Sequence, residues 1–273
     1  MVAVSKGIWR STDRGASWQP CVLGGPIGGW SRAAWAGDDG LVCVVGDGAT
    51  VSTGIISVSQ DGGESFCVAD APTTQPLYGV AGHGDALWAV GGGGMILHSA
   101  DRGRTWARSQ PAGPHLLSGI WRAPEGRLWV SGTEGTVLTS DDGQAWVVSR
   151  RSGRAYLYGI GGGPGQSLCA PAGGGTVFMS TDGGAKWTAK RTKTKAYFYA
   201  GMACTGDDLW VGGNDTLLRC GDGKAWQRIE LPPDWRRVAD LHAISEDEIW
   251  IAGDDAILRG RRSELATGSP QTE

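Results

Sequence analysis

The chain has 273 residues, of which 47 are glycine and 14 are tryptophan, and its formal net charge is −3. A charge this close to zero does not point to a nucleic-acid or membrane-surface partner, and no apolar run reaches the roughly 20 residues that a membrane-spanning helix needs. The first residues lack the charged, apolar and small-residue regions of an export signal, so we expect a cytoplasmic protein if Met1 is the native start.

An eight-residue pattern, Ser/Thr-x-Asp-x-Gly-x-x-Trp/Phe, recurs along the chain and is called the octet below. Five copies begin at Ser11, Ser59, Ser99, Thr139 and Ser180, and a sixth, weaker copy begins at Arg219. Their closing aromatic residues are spaced by 48, 40, 40, 41 and 39 residues. A sequence period near 40 is typical of β-propellers, in which each repeat forms one blade.

Residues 77–108 show the predicted content of one repeat. Short apolar runs cover 77–81, 87–91, 95–99 and 105–108, and turns rich in glycine and aspartate separate them. Runs of four or five residues bounded by such turns predict β-strands joined by hairpins. Each repeat is therefore predicted to form a four-stranded antiparallel blade.

The two ends of the chain hold incomplete repeats. Residues 2–18 supply a second, third and fourth strand, and residues 238–260 supply a first, second and third strand. Counting both, we predict an all-β fold with a single seven-bladed propeller over residues 1–260, because merging the ends into the alternative of six blades would leave exposed strand edges. Residues 261–273 are predicted to form a disordered tail.

The octets are interpreted as turns that fasten the third strand of a blade to its fourth. An aspartate can accept backbone N–H bonds inside its own turn, and glycine permits a positive φ. The closing tryptophans, such as Trp106, Trp146 and Trp187, are expected to be mostly buried against the next blade. Catalytic or calcium-binding aspartates are disfavoured, because equivalent copies around a ring cannot all form one site. The aspartates assigned this structural role are Asp13, Asp61, Asp101, Asp141 and Asp182.

The octet resembles the Asp-box, or BNR repeat, of sialidases, sortilin-type receptors and related propellers. The longer phrase from Leu128 to Trp146, which includes Gly132 and Gly143, is most similar to the photosystem II stability/assembly factor family. The resemblance covers nearly the whole chain. It implies a β-propeller that acts as a non-enzymatic assembly scaffold, with a basic surface that meets a partner protein.

Three consecutive loops between repeats, 147–156, 188–197 and 227–240, carry ten of the 25 basic residues. In a propeller these loops open on one face, and arginines interleaved with aromatic residues favour a binding surface there. The alternative is that charged loops only keep a glycine-rich protein soluble. The predicted partner-binding residues, called the basic sector below, are Arg150, Arg151, Arg154, Tyr156, Lys190, Arg191, Lys193, Lys195, Tyr197, Arg228, Trp235, Arg236 and Arg237.

The turns between first and second strands open on the opposite face and are predicted to be acidic. Little balances their charge beyond Arg122 and Arg127. The acidic residues in these turns are Asp38, Asp39, Asp85, Glu125, Asp207, Asp208, Glu246, Asp247 and Glu248.

These patterns predict an interaction scaffold that binds an acidic protein or another anionic partner through the basic sector. No catalytic residue, cofactor or metal site is assigned, because the histidines lie in different repeats and the six cysteines form no C-x-x-C pair. A nucleic-acid partner is disfavoured, because no stacking motif or recognised module is present.

Two other functions remain open. One is a carbohydrate-active propeller, either a lectin or a sialidase-like hydrolase, although no Phe/Tyr-Arg-Ile-Pro segment lies near the start. The second is a small-ligand site in the central channel, which His242, Tyr78, Ser118 and Tyr158 are expected to line. The candidate residues for hydrolase chemistry are Arg154, Arg236, Tyr158, Glu134 and Asp70.

Overall fold

The computed structural model of the protein consists mainly of β-strands joined by short turns. The all-β prediction is therefore confirmed. The structure describes residues 2–4, 7–23, 29–48, 53–109, 113–163, 166–203, 208–221, 225–243, 247–253 and 256–265. Sequence features that lie outside the described residues are Met1, Asp207, residues 222–224 of the sixth octet, Glu246 and residues 266–273.

The first twelve strands alternate with tight turns. One 3-10 turn, Gly92–Gly94, joins the tenth strand to the eleventh. The strands are β1 Val2–Val4, β2 Ile8–Arg10, β3 Gln19–Pro20, β4 Val22–Leu23, β5 Ser31–Ala36, β6 Val42–Asp47, β7 Gly54–Ser59, β8 Ser65–Val68, β9 Leu77–His83, β10 Ala86–Gly91, β11 Ile96–Ser99 and β12 Ala107–Arg108.

The second half continues the same pattern and reaches a short helix, α1, at Arg262–Leu265. A second 3-10 turn, Thr133–Gly135, joins the fourteenth strand to the fifteenth. The strands are β13 Leu117–Arg122, β14 Leu128–Gly132, β15 Val137–Ser140, β16 Val147–Arg150, β17 Gly161–Gly162, β18 Leu168–Pro171, β19 Thr176–Ser180, β20 Thr188–Arg191, β21 Phe198–Ala203, β22 Leu209–Gly213, β23 Thr216–Cys220, β24 Gln227–Ile229, β25 Val238–Ala243, β26 Glu248–Gly253 and β27 Ile257–Arg261.

The strands pair in chain order, as hairpins do. Four sheets, β9–β12, β13–β16, β17–β20 and β21–β24, have four strands each. Strands β5–β8 form the same arrangement, and β4 is added to it by parallel pairing with β8. The four-stranded antiparallel blades predicted from the repeat are therefore confirmed.

The predicted number of seven blades is wrong, because the propeller has six. The prediction counted the incomplete repeat at each end of the chain as a blade. The end sheets β1–β3 and β25–β27 have three strands each and do not amount to two further four-stranded blades. Strands β1, β2 and β3 form a three-stranded sheet of their own, in which β2 pairs with both β1 and β3.

The chain divides into two compact units. Unit 1 contains residues 1–122, 126–130 and 138–148, and unit 2 contains residues 123–125, 131–137 and 149–273. The first four octets lie in unit 1 and the fifth lies in unit 2. All thirteen residues of the basic sector belong to unit 2.

In unit 1 the core lies between successive sheets. Cys43 and Val45 of β6 pack with Leu87 and Ala89 of β10, and all four are 0% exposed. Every residue of β10 from Leu87 to Gly91 is buried. A strand that is buried on both faces has a continuous run of apolar residues instead of an alternating pattern. The middle strands of the blades were therefore easy to locate in the sequence.

In unit 2 the core has the same character. Trp210 of β22 packs with Val238 of β25 and with Ile249 and Ile251 of β26. Trp210 is fully buried, and its indole N–H donates a 3.2 Å hydrogen bond to the buried carboxylate of Asp208.

Asp101 shows the hydrogen bonds of an octet turn. Its carboxylate accepts the backbone N–H and the hydroxyl of Thr105, at 2.9 and 2.6 Å, and the hydroxyl of Ser99 at 2.8 Å. The Ser99 hydroxyl oxygen in turn accepts the N–H of Gly103 at 2.9 Å. Gly103 has a φ of 79°, and an added Cβ would lie 2.8 Å from a methyl carbon of Val58. Both the backbone and the packing therefore require glycine there.

Three other octets repeat this arrangement. A serine hydroxyl donates to the aspartate and accepts the N–H of the octet glycine in the turns of Asp13, Asp61 and Asp182. The carboxylate also accepts the backbone N–H of the residue four positions later, at 2.8 to 3.0 Å.

The turn hydrogen bonds stabilise the charged carboxylates. The hydroxyl and N–H of Thr105, with the Ser99 hydroxyl, lower the pKa of Asp101 to about 2. Ser17 and Ser11 lower the pKa of Asp13 to about 2 in the same way. The pKa of Asp182 is also lowered, chiefly by the N–H of Lys186. These aspartates are therefore ionised at neutral pH and act as hydrogen-bond acceptors only.

The assignment of Asp141 to the fourth octet needs a correction, because the next residue performs its role. Asp142 accepts the Ser140 hydroxyl at 3.0 Å and the N–H groups of Gln144 and Ala145 at 2.8 and 2.9 Å. Asp141 instead forms an exposed ion pair with Arg127 at 2.7 Å. Because two aspartates are adjacent, both Thr139-x-Asp141 and Ser140-x-Asp142 fit the start of the octet pattern. The structure uses the second pair, since the Ser140 hydroxyl bonds to Asp142.

The closing aromatic residues are buried to different extents. Phe66 is 2% exposed and Trp106 is 8% exposed, within the cores of unit 1. Trp146 and Trp187 are only partly buried, in contrast to the expectation for them. Trp187 keeps its indole N–H near the surface, where it donates to the Ser149 hydroxyl at 3.2 Å.

The beginning of the predicted tail is structured as far as Leu265. Arg261 ends β27, residues 262–265 form α1, and Leu265 is buried against the core of unit 2. Within the described residues, no helix is long and apolar enough to cross a membrane.

Replacing Trp106 with alanine should lower the free energy of unfolding by about 3–5 kcal/mol, because a large cavity would form in the core of unit 1. Urea denaturation measures this change. The control is Trp9→Ala, since Trp9 is 41% exposed. Equal losses for the two variants would contradict the packing described for Trp106.

Replacing Asp142 with alanine should lower the melting temperature more than replacing Asp141, because only Asp142 satisfies the backbone of the turn. Differential scanning calorimetry of the two neighbouring variants compares them directly. A larger loss for Asp141→Ala would show that the exposed ion pair, and not the turn, holds this segment.

The Asp101→Asn variant should be less stable than the wild type at pH 7, and the difference should shrink at low pH. An unfolded aspartate has a pKa near 4 and the folded one about 2. The stability from the charged form is therefore complete above about pH 4 and is lost as the pH falls through about 2. Thermal melts from pH 7 to pH 2 test this, and a difference that stays constant over that range would contradict it.

Candidate partner-binding site

A cleft of about 490 Å³ opens in unit 2. Its volume lies within the range of ligand pockets, which is roughly 300 to 1,000 Å³. Apart from Thr176 and four small residues, it is lined by two cationic and four aromatic side chains, Arg154, Arg191, Tyr156, Tyr158, Phe178 and Tyr197. None of the residues that line the cleft is acidic.

Backbone hydrogen bonds lock the first two loops of the basic sector to the turn that follows β18. The Tyr158 N–H donates to the Pro171 carbonyl at 2.9 Å. From the other side, the N–H of Gly175 donates to Ala196 at 2.8 Å, and the N–H of Thr192 donates to Gly175 at 2.9 Å. One turn therefore positions both walls of the cleft.

A second turn, between β22 and β23, links the second loop to the third. The Asn214 N–H donates to the carbonyl of Tyr197 at 3.2 Å, and the Asp215 N–H donates to the carbonyl of Arg236 at 2.9 Å. The three loops of the basic sector are thus connected through the backbone of unit 2. Such fixed loops lose little conformational entropy when a ligand binds.

Glycines at the turn that follows β18 let the loops approach it closely. A Cβ on Gly175, which has a φ of 70°, would lie 2.0 Å from the Thr194 carbonyl oxygen. A Cβ on Gly173 would lie 2.8 Å from the ring of Tyr197. Tyr197 therefore rests on the bare backbone of Gly173, while 49% of its surface stays exposed.

The three tyrosines that line the cleft form one aromatic cluster with Tyr199. The rings of Tyr156 and Tyr158 stack, with centroids 4.4 Å apart and planes at 25°. Tyr197 and Tyr199 meet Tyr158 edge to face, with centroids at 6.4 and 5.4 Å and planes at 80° and 84°. Burial, and then the neighbouring Tyr199 and Tyr197, raise the pKa of Tyr158. Its phenol is therefore protonated at neutral pH and can donate a hydrogen bond.

Arg150 does not line the cleft but packs against Phe178, which does. Its guanidinium lies 4.2 Å from the centroid of the Phe178 ring and donates to the carbonyl of Gly135. Partial burial lowers the pKa of Arg150. Because its guanidinium already has two partners, Arg150 positions Phe178 rather than presenting an open charge, unlike the role predicted for it.

The other predicted binding residues fall into three groups. Arg154, Tyr156, Arg191 and Tyr197 line the cleft. Trp235 is half-buried, and its ring would meet a Cβ on Gly253 at 2.7 Å, so its packing role differs from the surface contact that was expected. Seven cationic residues are exposed without lining the cleft, Arg151, Lys190, Lys193, Lys195, Arg228, Arg236 and Arg237.

The charge of the basic sector is largely uncompensated. Six of its cationic residues, Arg154, Lys190, Arg191, Lys193, Lys195 and Arg236, form no ion pair with any described carboxylate. Two acidic residues, Glu134 and Asp215, lie in turns that are hydrogen-bonded to these loops, but neither lines the cleft. The Arg228 guanidinium donates to the carbonyl of Asp215 at 2.6 Å.

The predicted acidic turns carry less free charge than expected. In unit 1, Arg102 donates to the carboxylates of both Asp39 and Asp85. In unit 2, Arg219 pairs with Asp208 at 2.7 Å and Arg259 pairs with Glu248 at 2.9 Å. Sequence reasoning missed these pairs because their arginines lie on other turns and strands than the acids.

Sequence reasoning also missed two contributors to the cleft. Tyr158 was assigned to the channel and to the hydrolase alternative but not to the basic sector, and Phe178 was not assigned to any site. A signal for the cluster was present, because Tyr156-x-Tyr158 and Tyr197-x-Tyr199 repeat the same spacing after two successive blades. Residues two apart on an extended segment point to the same side.

The residues considered for hydrolase chemistry are not collected in the cleft. Arg154 and Tyr158 line it, whereas Glu134 and Arg236 do not, and Asp70 belongs to unit 1. A glycosidase needs a pair of carboxyl groups across the scissile bond. Among the described residues, no cluster of three or more histidine, cysteine or acidic side chains could hold a metal ion.

Proteins of known structure share the fold at low sequence identity. YCF48 bound to D1 peptide aligns with a TM-score of 0.69 and 18% identity, over 86% of this chain and 79% of that one. YCF48 from Cyanidioschyzon merolae aligns with a TM-score of 0.66 and 15% identity, over 96% and 90%. The GH74 xyloglucanase from Xanthomonas campestris gives a TM-score of 0.77 at 17% identity, over 95% of this chain and 50% of the enzyme.

These similarities concern the fold alone, because folds of this kind serve unrelated functions. The chain spans half of the xyloglucanase and most of the YCF48 chains. No protein-family model matches the chain, and no curated protein matches it in sequence. The resemblance to photosystem II assembly factors is therefore supported at the level of the fold.

Replacing Arg150 with alanine should lower the free energy of unfolding by about 1–2 kcal/mol, because the change removes a stacked cation and leaves the Gly135 carbonyl without this donor. The matched control is Lys190→Ala, an exposed cation of the same sector. Urea denaturation compares the two. Equal stability of both variants would contradict the supporting role of Arg150.

Proposed function

We propose that the chain is a non-enzymatic interaction scaffold that holds an acidic segment of a partner protein in the basic sector of unit 2. The octet turns support grouping it with Asp-box propellers of the assembly-factor type. The observation that carries the proposal is the composition of the cleft, in which Arg154 and Arg191 adjoin aromatic walls without any carboxylate. Arginine and tyrosine are the side chains most enriched at the energetic centres of protein interfaces.

Charge complementarity favours an acidic partner. The exposed cations of the three loops attract acidic groups at long range, and the cleft supplies apolar contact at short range. A YCF48 structure that shares the fold contains a bound peptide, so a propeller of this size can hold one. A hydrolase is disfavoured, because the cleft offers no carboxylate to serve as acid, base or nucleophile.

The experiment measures binding of a fluorescein-labelled peptide, with four glutamates around a central phenylalanine and an amidated C-terminus, by fluorescence anisotropy. The double variant Arg154→Glu, Arg191→Glu should bind at least about tenfold more weakly than the wild type, which corresponds to a loss of roughly 1.4 kcal/mol. Raising the salt from low to high concentration should also weaken wild-type binding.

The matched control is Arg108→Glu, which reverses an exposed charge on β12 of unit 1. It should bind within about twofold of the wild type, since it leaves the basic sector unchanged. Thermal melts establish that all three proteins are folded. Equal loss of binding in the control, or full binding by the double variant at low salt, would contradict the proposal.

A further inference from the structure

The cleft combines features that an acidic segment alone does not require. Exposed cations on the three loops are sufficient to attract carboxylates. The cleft adds an aromatic surface, in which the ring of Tyr158 lies between those of Tyr156 and Tyr197 and is supported by Tyr199 outside the lining. Partly exposed tyrosines beside arginines are typical of the energetic centres of protein interfaces. The tyrosine cluster therefore needs its own explanation.

The ring geometry favours a planar apolar group. The planes of Tyr158 and Tyr197 are 80° apart, so the walls offer aromatic surface in two nearly perpendicular orientations. A third ring that lies in the cleft against both can stack on one and meet the other edge to face, which are the two preferred aromatic arrangements. The cleft volume of about 490 Å³ is large enough for such a ring.

The polar groups of the cleft favour an anion beside that ring. Arg154 and Arg191 are the charged residues of the lining, and both are exposed. Guanidinium groups bind carboxylates with two parallel hydrogen bonds. The protonated phenol of Tyr158 adds a donor, and no lining carboxylate competes for the guanidinium groups.

From this arrangement we infer that the cleft is an anchor pocket for an aromatic side chain that is flanked by acidic residues in the partner. The inference rests on the proposed function and adds the class of segment that is recognised. The aromatic side chain fills the tyrosine cluster, and the adjacent carboxylates pair with Arg154 and Arg191. The remaining exposed cations then steer the rest of the segment.

A peptide fits these features better than a sugar or a nucleic acid. A neutral sugar would leave the guanidinium groups of Arg154 and Arg191 without a carboxylate partner, whereas an acidic peptide supplies one. A nucleic acid would place phosphates next to Glu134 and Asp215, which lie on the turns that hold the basic loops. The acidic groups of a peptide can instead be confined to the cationic side chains.

The test compares three amidated peptides on the wild-type chain by fluorescence anisotropy. The first has four glutamates around a phenylalanine, the second has alanine in place of phenylalanine, and the third has glutamines in place of the glutamates. The first should bind at least tenfold more tightly than either of the others. The Tyr197→Ala variant should reduce this preference to less than threefold, whereas Trp9→Ala, which removes an exposed aromatic residue from unit 1, should leave it unchanged.

The results distinguish failure of the anchor pocket from failure of the acidic-partner proposal. If the alanine peptide binds as tightly as the phenylalanine peptide, and both need Arg154 and Arg191, the anchor pocket is wrong and the acidic-partner proposal stands. If neither glutamate peptide binds, both proposals are wrong. Stronger binding of a cello-oligosaccharide or a single-stranded oligonucleotide would overturn the anchor pocket in favour of that ligand. Since Tyr197 is half-exposed, its variant is expected to fold, and thermal melts verify this.

Discussion

The hydrogen bonds that the octet aspartates accept are the constraint on which the rest of the structure depends. In the first five octet turns, which the structure describes, one carboxylate and one hydroxyl satisfy backbone N–H groups that the reversal of the chain would otherwise leave without partners. The turn thereby returns the chain as a fourth strand and directs the closing aromatic residue toward the core. The same geometry recurs in both units, so blades with different core residues end in the same way.

Backbone hydrogen bonds in short turns also form the cleft. The turns between second and third strands are short and contain residues with positive φ, such as Glu134, Gly175 and Asp215. Their N–H and carbonyl groups bond to the loops that enter the following blade. The loops that follow β16 and β20 both lie in unit 2 and carry paired tyrosines, and this bonding brings them together. A rigid β-scaffold thus presents variable loops, which is where binding residues are usually found.

Much of the fold could be predicted from the sequence, because the signals were local. Glycine-bounded apolar runs located the strands, and the octet located the reversals. The blade count could not be obtained in this way, because it depends on how the end strands pair with each other. The choice between Asp141 and Asp142 was also beyond the pattern, since it depends on which serine or threonine hydroxyl faces the turn.

The site was predicted less completely than the fold, for a similar reason. Charge and loop position selected Arg154, Arg191 and Tyr197, and the structure places these three side chains in the lining of one cleft. They did not reveal that Arg150 would fold back onto Phe178 or that Trp235 would pack over Gly253. Those outcomes depend on contacts between residues far apart in sequence. The spacing of the tyrosines gave a usable signal, but its meaning required the two loops to be placed side by side.

Amide hydrogen exchange of the whole chain, with and without the acidic phenylalanine peptide, tests the central claim most directly. Bound peptide should slow exchange in residues 151–158 and 192–199 of unit 2, because these segments form the walls of the cleft and would be covered. Exchange in the octet turns of unit 1 should stay the same. Protection confined to unit 1, or saturating peptide with no protection in either loop, would contradict the assignment of the cleft as the binding site.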